Sequence, residues 1–152
     1  MQKNTAAFFH PGVVVCLCLD ENGIPETADG RIKVAQKIIN TAAEYGIDKK
    51  DLIVDALAIT ISTDTKNAIE TLKAVDYIKH TLGVNTVLGV SNISFGLPNR
   101  EAVNTAFYTL CLKAGLSAGI INPKSQSMMN VIHTTRLQGL MKIAPSILSL
   151  PL

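Results

Sequence analysis

Short unbroken apolar runs alternate along this chain with longer stretches in which apolar residues recur every three or four positions. Residues 1–12 follow no period and read as a lead-in closed by Pro11 and Gly12. Residues 13–19 form a continuous apolar run ending at Asp20, the mark of a buried strand, and residues 21–25 supply a turn. Ile32, Ala35, Ile38 or Ile39, Ala42 and Tyr45 then repeat with helical period, with Thr27 or Asp29 as the cap and Gly46 as the stop. A second run, 52–57, is interrupted by Asp55. After the polar segment 62–65, a helix is expected to turn Ile69, Leu72, Val75, Ile78 and Leu82 inward, ending at Gly83.

The third run, 86–90, is rich in β-branched residues and leads straight into Ser91, Asn92 and Ser94. Gly96 and Pro98 break regular structure, and Asn99 is placed to cap a helix with Val103, Phe107, Leu110 and Ala114 inward, stopped at Gly115. Residues 118–121 make the fourth strand, ending at Asn122 and Pro123. Ser125 can cap a last helix reaching about Gly139. The pattern therefore predicts an α/β fold of four consecutive βα units in one domain, with a core at 13–140 and irregular tails at 1–12 and 141–152.

Asp20, Asp55, Asn92 and Asn122 each stand where a strand ends, spaced by 35, 37 and 30 residues. In parallel sheets that end carries the ligand-binding loops, so four polar side chains are expected at one edge. Strand parity puts Asp20 with Val14, Cys16 and Cys18, and if that face is interior, Asp20 sits over the core at its mouth. Each of the four also has an ordinary use, since Asp and Asn make turns and caps after strands. Asp20 adjoins turn residues, whereas Asp55 precedes Ala56 and Leu57 and so falls inside an apolar run.

Composition narrows the function classes. The apolar share is 47% and the charged share 17%, enough for a core, yet no run reaches the eighteen or so residues of a membrane span. Net charge is +2 with the basic residues dispersed, so no face tracks a phosphate backbone and nucleic acid is not expected as a partner. The start has no cationic segment followed by an apolar one, and three cysteines fit a reducing compartment; a cytoplasmic location is expected. Cys16 and Cys18 share a strand face but lack a CxxC pair or a nearby His, and read as small core residues instead of metal ligands. No GxGxxG or GxxxxGK[ST] occurs, and Ile93 stands where a GxSxG elbow needs glycine. His10, His80 and His133 are far apart, and read as solvated or packing residues.

Three segments, LDENGIP at 19–25, VLGVSNISFGLPNR at 87–100 and INP at 121–123, resemble the pterin-binding domain of cobalamin-dependent methionine synthase and of methyltetrahydrofolate:corrinoid protein methyltransferases. The likeness spans about 13–139. Dihydropteroate synthase shares the barrel, but the SNISFGLPNR stretch is specific to the methyltransferases. The resemblance implies a (β/α)8 barrel that binds methyltetrahydrofolate at the C-terminal mouth of its strands and passes the methyl to the cobalt(I) of a corrinoid, or cobalamin, carried elsewhere. By matching positions, Asp55 would bind the pterin's exocyclic amine and ring N–H. Asn92 would contact the nitrogen bearing the methyl and act catalytically, Ser91 and Gly89 would line the pocket, and Asn122 and Asp20 would be secondary contacts.

Two departures qualify what is implied. Ala56 replaces the family's proline, which is expected to loosen the backbone holding Asp55. A complete barrel of this type takes about 250 residues, and the chain resembles its C-terminal half. Its partners are therefore expected to be a first-half barrel chain or a second copy, together with a corrinoid-carrying protein. The alternatives are a truncated, inactive pterin-binding fragment, or a non-catalytic α/β module whose open sheet has helices on both faces.

Overall fold

The computed structural model describes residues 12–143. Four strands, β1 (Val14–Leu17), β2 (Leu52–Asp55), β3 (Asn85–Gly89) and β4 (Ala118–Ile120), alternate with four helices, α1 (Ala28–Glu44), α2 (Lys66–His80), α3 (Arg100–Lys113) and α4 (Gln126–Ile143). All strand pairs are parallel and the sheet order is β1-β2-β3-β4. Right-handed crossovers in an order that never reverses place every helix on the same side. That excludes the helices-on-both-faces alternative among the described residues and gives the arrangement of one part of a (β/α)8 barrel.

The two sheet faces differ accordingly. Cys16, Cys18, Leu52, Val54, Ala56 and Leu88 are buried in one cluster with Ala35 and Ile39 of α1, Ala74, Val75 and Ile78 of α2, and Phe107 and Cys111 of α3. Removing a side chain the size of Leu88 or Ile78 from water contributes about 1.5–3 kcal/mol, so this layer holds the helices to the sheet. The opposite face, on which Leu17, Asp55, Val87 and Ala118 lie in register, carries no helix among the described residues. Cys16 and Cys18 are thus core residues as expected, but their face is the one under the helices. The parity that tied Asp20 to the barrel interior is corrected.

Several helix faces also shift from expectation. Tyr45 is 74% exposed because α1 ends before it, at Glu44. Ile69 and Leu110 are exposed as well; α2 buries Thr71, Ala74, Val75 and Ile78, and α3 buries Phe107, Tyr108 and Cys111. Thr27 does cap α1, accepting from Gly30 N–H at 3.2 Å, and Ser125 accepts from Met128 N–H at 3.3 Å at the start of α4. Asn99 does not cap by its side chain; it takes a left-handed backbone, φ 50°. Helix α4 continues to Ile143, so residues 141–143 are helical and not part of a tail. Residues 1–11, including His10, and 144–152 lie outside the described residues.

Candidate functional site

Strand β2 ends at Asp55 for a local reason. The Asp55 carboxylate turns back, its Oδ1 accepting from Leu57 N–H at 2.8 Å, and Leu57 adopts φ 60°. A left-handed leucine costs about 1–2 kcal/mol, so the turn persists only because other contacts hold it. Asp55 Oδ2 has no hydrogen-bond partner among the described residues. Burial lifts the Asp55 carboxyl above its ordinary pKa, against which the Leu57 N–H works. A half-buried carboxylate with one oxygen engaged and one open is costly unless a donor arrives.

Asn92 reaches the same sheet face. Gly89 lies two residues beyond Val87, the register partner of Asp55, so a Cβ on Gly89 would project from the Asp55 side. That Cβ would come within 3.1 Å of Asn92 Nδ2. Glycine at 89 therefore makes the space in which the Asn92 amide sits. Asn92 itself belongs to a 3-10 turn, Val90–Ser94, that carries the chain off the end of β3.

Two features that sequence patterning missed hold this mouth together. Arg100 donates from Nε to Ser94 Oγ and from Nη2 to the Ser91 carbonyl, both at 3.0 Å, while its guanidinium lies 4.7 Å from the centre of the Phe95 ring. The loop after β2 then joins the loop after β3: Ile61 N–H donates to Ile93 O at 2.9 Å and Thr60 Oγ1 to Phe95 O at 2.6 Å. Arg100 was legible only as a helix-start residue. Thr60 carried no signal at all, since its partner is 35 residues away.

The remaining candidates each make a turn of their own. Asn122 Oδ1 accepts from Lys124 N–H at 3.0 Å in a tight turn, and lines a cavity of about 460 Å³ with Ser91, Arg100 and Asn104. Asp20 Oδ1 accepts from Asn22 N–H at 2.8 Å, and its backbone pairs with Gly23. It borders a second, larger cavity of about 780 Å³ between β1 and α1, on the helix side of the sheet. The structure thus puts Asp55 and Gly89 on one sheet face with the Asn92 amide against Gly89, sets Ser91 with Asn122 at the smaller cavity, and places Asp20 elsewhere. No group of His, Cys, Asp and Glu able to hold a metal occurs among the described residues. Cys18 and Cys111 are free, buried thiols pushed up to about 12, principally by burial, and so are poor nucleophiles.

The family model described as pterin binding enzyme matches residues 14–122. The chain belongs to the pterin-binding enzyme family. Its relatives include methionine synthase of Mycobacterium leprae (strain TN), 36% identical over 138 residues, which covers 86% of this chain and 11% of that protein. Methionine synthase of Mycobacterium tuberculosis (strain ATCC 25618 / H37Rv) is 35% identical over 131 residues, covering 81% and 11% respectively. The methylcorrinoid:tetrahydrofolate methyltransferase of Eubacterium limosum is 26% identical over 123 residues, covering 80% of this chain and 45% of that one. The chain therefore spans about a tenth of the methionine synthases and less than half of the methyltransferase. The matched segment of the pterin-binding family includes Asp55, Gly89, Ser91, Asn92 and the helix-side core. Among the described residues no helix is long and apolar enough to cross a membrane.

Proposed function

We propose that this chain binds methyltetrahydrofolate on the uncovered sheet face and takes part in transferring its methyl group to a corrinoid carried by another protein or domain. One observation carries the reading: a half-buried carboxylate with an open oxygen, Asp55, lies on the same face as the Asn92 amide, within a pterin-binding family segment. A pterin presents an exocyclic amine and a ring N–H side by side. Asp55 accepts from both while Oδ1 keeps its bond to Leu57. Gly89 and Ser91 line the same mouth.

Asn92 then acts at the nitrogen that bears the methyl. As the carbon–nitrogen bond breaks, its electron pair stays on that nitrogen, which is finally protonated. An amide N–H aimed there donates more strongly as the pair develops and needs no ionisation to do so, which lowers the barrier more than it tightens binding. The corrinoid's cobalt(I) supplies the nucleophile for the methyl when it is present, and no residue of this chain is assigned to hold it. The turn bonds of Asp20 and Asn122 support structural roles for both.

Parallel edges at β1 and β4 that are open among the described residues favour work within a larger assembly, completed by first-half barrel units or a second copy. The test is methyl transfer from methyltetrahydrofolate to cob(I)alamin, followed by absorbance, with complementary first-half barrel protein present. Asn92→Ala is expected to lower kcat by about 10²–10³-fold, the usual cost of one such donor, while folate affinity changes far less. An unchanged kcat refutes the role of Asn92. Folate binding without any turnover identifies a non-catalytic fragment.

A further inference from the structure

Arg31, on the second turn of α1, is the largest fully buried side chain among the described residues, and it forms no ion pair there. Three of its four hydrogen bonds go to backbone carbonyls. Nε donates to Pro25 O at 2.9 Å, and Nη1 donates to Leu57 O at 3.1 Å, to Ala56 O at 3.4 Å and to Thr71 Oγ1 at 2.7 Å. Nη2 is buried with no partner among the described residues. Burying a cation without a directly paired counter-ion is costly, and an apolar residue of similar volume would often be more stable in its place. Core packing alone therefore does not account for an arginine here.

Its target does. Leu57 is held from both ends, its N–H by Asp55 Oδ1 at 2.8 Å and its C=O by Arg31. A hydrogen bond from a charged donor is stronger than one between neutral groups and offsets the strain of a left-handed leucine. Without the clamp, relaxation of Leu57 would withdraw its N–H and free the carboxylate to swing. The carbonyl of Ala56, where the resemblance leads one to expect proline, accepts from the same guanidinium at 3.4 Å.

We propose that Arg31 is a positioning residue that fixes the left-handed Leu57 turn and so aims the Asp55 carboxylate at its ligand; the inference rests on the reading that Asp55 receives the pterin. Thr71 orients the guanidinium. The other ionisable groups near the turn are Cys18, from the β1 side, and Glu70 of α2, both coupled electrostatically to Arg31, while β3 contributes none.

The test uses the full chain with Arg31→Lys, Thr71→Val, and Arg31→Lys combined with Leu57→Gly. Two quantities are read: the Asp55 carboxyl titration by carbon-13 NMR and the affinity for methyltetrahydrofolate. Arg31→Lys is expected to move the Asp55 titration to higher pH, because the Leu57 N–H no longer supports the ionised form, and to weaken the folate about tenfold, 1.4 kcal/mol. Thr71→Val moves both in the same direction by less. Glycine at 57 takes positive φ freely and is expected to restore both readouts, which a space-filling role for Arg31 would not allow. An unmoved Asp55 titration in a folded Arg31→Lys chain, or no restoration by Leu57→Gly, overturns the proposal. If Arg31→Lys does not fold, an unmoved titration in Thr71→Val overturns it equally. If the parent chain binds no folate, the pterin reading fails and the titration alone decides the role of Arg31.

Discussion

At the scale of single residues, Asp55 is stationed against its own interest. Its folded pKa is raised by burial, so the native state holds the proton more tightly than the unfolded chain does. Stability attached to this group is therefore greatest in acid. It declines as pH rises from the ordinary carboxylate value through the raised folded one, and the penalty is complete above that. Asp55→Asn keeps an oxygen for Leu57 N–H and removes the buried charge. Thermal unfolding is expected to give a higher Tm for this variant at pH 7 and no gain below pH 3. A lower Tm at pH 7 would mean that an unrecognised cation pairs with Asp55.

The elements explain what could be read from sequence and what could not. Strand order, the βα repeat and the position of Asp55 and Asn92 at the ends of neighbouring strands follow from apolar runs whose ends fall at polar residues. Those features are local, set by period and by chain direction. Arg31 was invisible because its burial depends on Pro25, Leu57 and Thr71, brought from three other segments; beside Ile32 and Lys33 it looks like one more solvated helix residue. Thr71 was missed for the same reason, and Ile69 was placed inward because periodicity alone cannot know that an arginine needs a hydroxyl at 71. The turn between β3 and α3 offers an element-level test. Gly89→Ala puts a Cβ 3.1 Å from the Asn92 amide at a φ of −74°, which alanine tolerates. Stability is expected to change by less than about 1.5 kcal/mol, whereas methyl transfer falls at least tenfold as the amide is pushed aside. Unchanged transfer by Gly89→Ala would separate Asn92 from the chemistry.

For the molecule as a whole, the sheet face and the two edges left uncovered among the described residues dominate. Val13, Val14, Val15, Leu17 and Leu19 are each more than 40% exposed, and Ile120 is 66% exposed at the other edge. Parallel sheets are ordinarily covered on both faces, so this much apolar edge favours pairing. Light scattering on the purified chain is expected to report an assembly larger than one copy, and Val15→Lys to shift it toward the monomer; a monodisperse monomer in the parent would argue against edge pairing. The central claim concerns where the folate head group sits, and chemical-shift mapping by NMR as methyltetrahydrofolate is added addresses it even if binding is weak. The account predicts perturbations concentrated at Asp55, Leu57 and Gly89 to Asn92. Shifts confined to the groove between β1 and α1, or none on the uncovered face, would contradict it.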